Sequence, residues 1–142
     1  MSSTKRTLGL FVAPYTKESR PLGIAIAEAL RKSGIAIMHV EDSIESAEMW
    51  KESTHLAIER ADFIVADITD KNPDVMYEVG FAHALRKPVI PIVKRGTGHV
   101  PNVIAGYIYL VYDPSDLGKL GEEIQTWAFR NQPKWKQEEA LK

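Results

Sequence analysis

The chain has 142 residues, with 18 Lys and Arg against 19 Asp and Glu, no Cys, and a formal net charge of -1 at pH 7. This length suits one globular domain that buries about two-thirds of the surface of its unfolded chain without disulfides or a structural metal. The absence of Cys excludes disulfide frameworks, thiolate nucleophiles and cysteine zinc sites, so a cytoplasmic setting is expected. The balanced charge argues against a protein that coats a nucleic acid polymer, which needs an excess of Lys and Arg.

The amino-terminal segment, residues 1–6, is polar and short. The apolar run that follows it has the length of a strand, and both a signal peptide and a membrane span need a longer one. The sequence therefore predicts neither export nor membrane crossing.

Short apolar runs rich in β-branched residues recur along the chain and predict strands at 7–13, 35–40, 63–68, 89–93 and 107–112. Segments with helical spacing of apolar residues lie between the strands, and one more, from Leu117 to Ala128, follows the last strand. This alternation predicts right-handed βαβ crossovers and a parallel sheet covered on both faces. We expect a single α/β domain, flavodoxin-like and three-layered, with a five-stranded parallel sheet in the order 2-1-3-4-5.

The predicted domain spans residues 1–130, and residues 131–142 form a polar carboxyl-terminal tail. The connection 94–105 carries two Gly and one Pro and is the least regular stretch, so it is a candidate flexible rim. In open α/β sheets, ligands bind beyond the carboxyl ends of the strands. The residues to examine are therefore 13–20, 67–78 and those from Lys94 onward.

A helix begins clearly after the third strand, because Asn72 is a favoured N-cap and Pro73 a favoured first helical residue. Glu78 then lies in the second turn, on the same side as Asp74. Most other positions are apolar on every side, which predicts a largely buried helix. Glu78 is therefore a functional carboxylate, the partner of a core Arg or Lys, or a residue that points out of a helix less buried than its composition predicts. Gly80 predicts close approach of a strand, a subunit or a ligand.

Three stretches together resemble one enzyme superfamily: A-D-F-I-V-A-D-I-T at 61–69, N-P-D-V-M-Y-E-V-G-F-A-H-A at 72–84, and K-P-V-I at 87–90. They resemble the nucleoside 2-deoxyribosyltransferase superfamily, and within it most closely the bacterial TIR-like branch. The departures from that branch's pattern are mild: Ile68, Asp74, Met76 and Val79.

The resemblance implies cleavage or transfer at an N-glycosidic bond, with the Glu of Y-E-x-G as the catalytic carboxylate, which is Glu78 here. A carboxylate below the sugar can attack or stabilise an oxocarbenium-like anomeric carbon. The expected substrate is a nucleoside, a nucleotide or NAD. A neutral base leaves more easily when an acid assists it, whereas the nicotinamide of NAD is already cationic and needs no acid.

Asp67, at the end of the third strand, is the second residue that we assign to the catalytic centre, as a contact to a sugar hydroxyl or to the base. Asp70, Asn72 and Asp74 are further substrate-binding candidates. For the two aspartates, satisfying backbone N–H groups at the helix start is an equally good interpretation.

The loop after the first strand supplies the remaining candidates. Its hydroxyl and cationic groups and the following helix N-terminus could hold a 5′-phosphate, and the resemblance also places sugar and phosphate contacts here. Tyr15 could stack on a base or pack at the sheet edge. The loop lacks the glycine-rich fingerprint of a P-loop or of a dinucleotide-binding turn. The substrate-binding candidates in this loop are Pro14, Tyr15, Thr16, Ser19 and Arg20.

Neither a metal nor another cofactor is expected. The four His residues are scattered without ligand spacing. Asp67 stands where receiver domains carry their phosphoacceptor, but the first strand ends in Val12 and Ala13 instead of the acidic pair that would hold magnesium.

A rival interpretation is a TIR-like module or nucleotide sensor that binds without catalysis. The resemblance also implies a homo-oligomer, since related enzymes complete their sites from a neighbouring subunit. The late aromatic residues Trp127, Phe129 and Trp135 are possible interface residues, and Trp127 is equally well a core residue.

Overall fold

The structure is a computed structural model that describes residues 7–14, 16–39, 47–98, 100 and 108–131, with only the backbone described for residues 47–52. Tyr15, His99, Trp135, half of the predicted rim and all of the predicted tail after residue 131 lie outside these residues. The division into a domain and a tail stays a prediction.

Strands and helices alternate along the described chain, as the sequence predicts. The strands are β1 (Leu8–Val12), β2 (Ala36–Met38), β3 (Phe63–Asp67), β4 (Val89–Lys94) and β5 (Leu110–Tyr112). The helices are α1 (Ser19–Arg31), α2 (Ala47–Arg60), α3 (Pro73–Ala84) and α4 (Leu117–Arg130). Strand β5 begins at Leu110, later than predicted, and Ile108 and Tyr109 lie before its pairing with β4.

The sheet has five parallel strands in the order β2-β1-β3-β4-β5, which confirms the predicted flavodoxin-like α/β fold. Val12 pairs with Ala66, so β1 and β3 end side by side. Strand order reverses between these two strands, because β2 lies on one side of β1 and all later strands lie on the other. That reversal opens a crevice at the carboxyl ends of β1 and β3.

Two apolar layers cover the sheet, and alternation along β3 sends its side chains into both. Phe63 and Val65 lie in the layer with α1 and α4, whereas Ile64 and Ala66 lie in the layer with α2 and α3. All five residues of β3 are buried, as expected for a central strand covered twice.

Helices α1 and α4 approach each other closely at one glycine. A Cβ added at Gly121 would lie 2.5 Å from the Cβ of Ala29, which is closer than two carbon atoms can pack. A larger residue at position 121 would push the helices apart, so Gly121 sets their separation.

Candidate active site

The carboxyl ends of β1 and β3 bring together the two segments in which the sequence analysis found most of its candidates. One is the loop from Pro14 to Ser19, which enters α1. The other runs from Asp67 to Asn72 and enters α3. The candidates in these two segments therefore lie around the crevice where the strand order reverses, except Tyr15, which lies outside the described residues.

Asp67 is the last residue of β3 and is 6% exposed. Its Oδ1 accepts hydrogen bonds from the backbone N–H of Thr69 at 3.1 Å and from the Thr69 hydroxyl at 2.6 Å. Its Oδ2 accepts a hydrogen bond from the Tyr112 hydroxyl at 3.3 Å. Both carboxylate oxygens are thus held by neutral donors of the described chain.

Burial raises the pKa of the Asp67 carboxyl above its ordinary value, and the hydrogen bonds from Thr69 and Tyr112 oppose that rise. Asp70 adds a small further increase through its negative charge. Burial also raises the pKa of Tyr112 to about 12, so its hydroxyl keeps its proton and remains a donor at neutral pH. Even with these hydrogen bonds, the folded protein favours the protonated form of the Asp67 carboxyl more than water does.

Glu78 lies in the second turn of α3 and is 8% exposed. Its neighbours on the same side of the helix, Val75, Val79 and Ala82, pack in the layer of α2 and α3. The structure therefore buries the carboxylate that the sequence analysis assigns to catalysis.

The start of α3 is as predicted, and Asn72 is its N-cap. The Oδ1 atom of Asn72 accepts hydrogen bonds from the backbone N–H groups of Asp74 at 2.9 Å and Val75 at 3.3 Å. Asp70 and Asp74 are both exposed beside this helix start. Asn72 thus has a structural task, and its role in substrate binding stays a prediction, as do those of Asp70 and Asp74.

One expectation about α3 is wrong, because the helix is not largely buried: Tyr77 is 48% exposed, and Gly80 and Ala84 are also exposed. At Gly80, a Cβ would meet no described atom within 4 Å, so no described strand approaches it closely. Close approach of a subunit or a ligand at Gly80 stays a prediction. The sheet and α2 cover only part of the helix circumference, and apolar composition alone does not reveal which side is left open.

The loop between β1 and α1 is folded on itself by Ser19, which is buried. The Ser19 hydroxyl donates to the carbonyl oxygen of Pro14 at 2.7 Å, and the backbone N–H of Thr16 donates to the same oxygen at 2.9 Å. The Thr16 and Ser19 hydroxyl oxygens are 3.0 Å apart. Ser19 therefore shapes the loop, whereas Thr16 and Arg20 are exposed. Substrate contacts by these residues stay predictions.

Sequence reasoning missed Thr69 and Tyr112 as site residues. Thr69 directly follows the third predicted strand, 63–68, so its position could have suggested a role at the carboxyl edge of the sheet. Tyr112 lies 45 residues from Asp67 in sequence, and only the sheet order brings the two together. The one available signal was that the last predicted strand ends in a hydroxyl-bearing residue at the same edge of the sheet.

A cavity of about 490 Å³ lies away from this crevice, beside the last turn of α4. Strand β2 begins next to it, so it lies toward the amino end of the sheet. Its lining is Ser33, Ile35, Gln125, Thr126, Phe129 and Arg130, which includes none of the predicted site residues.

The described residues contain neither a membrane-spanning helix nor a cluster of metal-binding side chains. No helix among them combines the length and the apolar character needed to cross a membrane. Over the same residues, no group of three or more His, Asp or Glu side chains is arranged so that it could hold a metal ion.

Comparison with known proteins gave matches at the level of structure. No protein-family model matches the chain, and no curated protein matches it in sequence. The CMP N-glycosidase BcmB of Clostridium botulinum superposes with a TM-score of 0.65 at 18% identity, over 80% of this chain and 98% of that one. A 2-deoxyribosyltransferase of Bacillus psychrosaccharolyticus superposes with a TM-score of 0.56 at 22% identity, over 79% of this chain and 90% of that one.

The match spans nearly the whole length of each of these two structures, so it concerns the complete domain and not a shared supersecondary unit. The chain therefore has the fold of these two enzymes, and its resemblance to the nucleoside 2-deoxyribosyltransferase superfamily rests on its motifs.

Proposed function

We propose that this protein cleaves, or transfers at, the N-glycosidic bond of a nucleoside, a nucleotide or an NAD-type substrate. The observation that carries the proposal is the buried Glu78 on α3, which begins beside the crevice between β1 and β3. Burying a carboxylate has a desolvation cost, and a catalytic role would explain why this helix carries one. Its place in the Y-E-x-G motif and the folds of the two enzymes support a catalytic role.

The chemistry follows from the charge that develops on the sugar. As the bond to the base breaks, positive charge builds up at the anomeric carbon, and a carboxylate below the ring can stabilise or trap it. Glu78 is the proposed nucleophile or stabilising anion. Water or a second nucleobase then takes the sugar from the intermediate. Attack by water is hydrolysis, and attack by a second nucleobase is transfer.

Asp67 is the proposed second catalytic-centre residue, and it contacts a sugar hydroxyl or the base. As an ionised carboxylate it is an acceptor only, so its partner on the substrate is a hydroxyl or an N–H group. The exposed Thr16 and Arg20 near the start of α1 are the proposed contacts to the 5′ side of the substrate.

The test is chromatographic detection of free base after incubation with NAD, NADP, ribonucleosides, deoxyribonucleosides and their 5′-monophosphates. Release of one base by the wild type, and its loss in Glu78→Gln, supports the proposal and identifies the substrate. A second, different base added to the reaction then separates transfer from hydrolysis. No release from any of these substrates by a folded protein would favour the binding-only sensor.

The predicted homo-oligomer stays part of this proposal. Sedimentation velocity at the protein concentration of the assay measures the oligomeric state directly. A monomer that releases base would show that the site is complete within one chain.

A further inference from the structure

Tyr112 reaches Asp67 from two strands away. It is the last residue of β5, and β4 lies between β5 and β3. Neighbouring strands are about 4.8 Å apart, so a partner two strands away is about 10 Å distant at the backbone. The long Tyr112 side chain spans this gap and places its hydroxyl 3.3 Å from the Asp67 Oδ2 atom.

A second chain of donors fixes the other oxygen of the same carboxylate. The backbone N–H of Lys94 donates to the Thr69 hydroxyl oxygen at 2.9 Å. The Thr69 hydroxyl oxygen thus accepts a hydrogen bond from Lys94, and the hydroxyl donates its single proton to Asp67 Oδ1, 2.6 Å away, which is much closer than the Tyr112 hydroxyl at 3.5 Å. The backbone N–H of Thr69 occupies the remaining acceptor position of Oδ1.

The two oxygens of Asp67 therefore differ. Oδ1 accepts two hydrogen bonds, which fills its two lone pairs. Among the described residues, Oδ2 accepts one hydrogen bond, from Tyr112, so one of its lone pairs has no described donor. A carboxylate that could rotate would offer either oxygen, whereas this one is held by Tyr112 of β5 and by Thr69 in the turn after β3, which is itself bonded to the backbone of β4.

We infer that Tyr112 is a positioning residue which, together with Thr69, turns the Asp67 carboxylate so that only Oδ2 can accept a hydrogen bond from the substrate. The inference rests on the proposed function, because it assumes that Asp67 contacts the substrate. Substrate specificity at this position then depends on one acceptor atom, Oδ2 of Asp67. The substrate group that meets this atom carries a donor, either a sugar hydroxyl or an N–H group of the base.

The first arm of the test needs no substrate. Carbon-13 NMR of the side-chain carboxyl of Asp67 measures its pKa in the wild type, Tyr112→Phe and Tyr109→Phe. A hydroxyl that donates to a carboxylate stabilises the charged form, so its loss in Tyr112→Phe raises the pKa of Asp67 further. Tyr109→Phe removes a hydroxyl from an exposed residue just before the same strand and is expected to leave the pKa of Asp67 unchanged.

The second arm uses the substrate identified by base release. Tyr112→Phe is expected to raise KM about tenfold with a smaller change in kcat, because the carboxylate loses its orientation before the reaction begins. The acidic limb of its pH profile moves to higher pH along with the pKa of Asp67. Thr69→Val behaves in the same way, and Thr69→Ser, which keeps the hydroxyl, restores the wild-type values.

The two arms separate the possible failures. A wild-type pKa of Asp67 in both Tyr112→Phe and Thr69→Val would overturn the positioning role whatever the activity. If no substrate releases base, the NMR arm still decides the positioning role, and the proposed function alone fails. If Tyr112→Phe does not fold, the comparison of Thr69→Val with Thr69→Ser decides.

Discussion

Asp67 and Glu78 belong to opposite faces of the sheet. Asp67 points into the layer of α1 and α4, where Tyr112 meets it, because Phe63 and Val65 lie there and side chains alternate along β3. Glu78 belongs to α3, which packs on the other face. The proposed function therefore requires a substrate that reaches both faces at the end of β3. Carboxylates on opposite faces suit separate roles better than a shared proton between them.

Replacing Glu78 with Gln tests the first of these roles. The amide has nearly the same shape but cannot attack the anomeric carbon or carry a negative charge, so kcat for base release is expected to fall at least about 10³-fold. The measurement is base release by chromatography at saturating substrate. Glu59→Gln removes an exposed carboxylate from α2 and is expected to retain wild-type activity. A Glu78→Gln enzyme with near-normal kcat would show that another group performs the chemistry.

Replacing Asp67 with Asn changes how stability depends on pH. Because burial raises the pKa of Asp67 above 3.8, folding favours the protonated carboxyl. The resulting stabilisation is fully present below pH 3.8 and is lost as pH rises through the raised pKa. The free energy of unfolding of Asp67→Asn, relative to that of the wild type, is therefore expected to increase from acidic to neutral pH. Denaturant titrations across this range measure it, and the opposite trend would mean that the folded state depresses the pKa.

Removing the cap of α3 tests the structural task of Asn72. Asn72→Ala leaves the N–H groups of Asp74 and Val75 without their acceptor and is expected to cost about 1 kcal/mol. In a domain of this size, that corresponds to a fall in Tm of about 4 °C. Asn72→Asp keeps an oxygen at the same place and is expected to keep the wild-type Tm. Calorimetry of the three proteins distinguishes a cap from a residue that serves only the substrate.

Two glycines of α4 form a matched pair. Gly121→Ala would drive a Cβ into Ala29 and is expected to destabilise the protein by about 1–3 kcal/mol. Gly118→Ala, near the start of the same helix, meets only the Asp116 Oδ1 atom at 3.9 Å. It is expected to stabilise by about 0.5–1 kcal/mol, because alanine restricts the unfolded chain. Equal effects of the two substitutions on chemical denaturation would contradict the close approach of α1 and α4.

The sequence predicts the parts of this structure that depend on local pattern. The apolar run of β3 and the cap at Asn72 are recognisable from neighbouring residues, and alternation of strands and helices leads to the sheet order. The contact of Tyr112 with Asp67 depends on which strands become neighbours and on the length of one side chain, so no local pattern contains it. The exposed side of α3 was missed because its residues are as apolar as those on its buried side.

The match to the two enzymes covers the fold, whereas the closer likeness to the TIR-like branch rests on the motif alone. The motif contains Asp67, Thr69 and Glu78 but neither Lys94, which donates to Thr69, nor Tyr112. Tyr112 is therefore a part of the network around Asp67 that the motif does not predict.

The lengths of the strands also bear on how the protein behaves in concentrated solution. The two strands at the borders of the sheet, β2 and β5, have three residues each as the structure describes them, and the strands between them have five or six. An unpaired sheet border is a template onto which another chain can add, and the segments that assemble into amyloid have about six residues. These borders are too short to present such a segment, so the folded domain resists the strand addition that leads to aggregation.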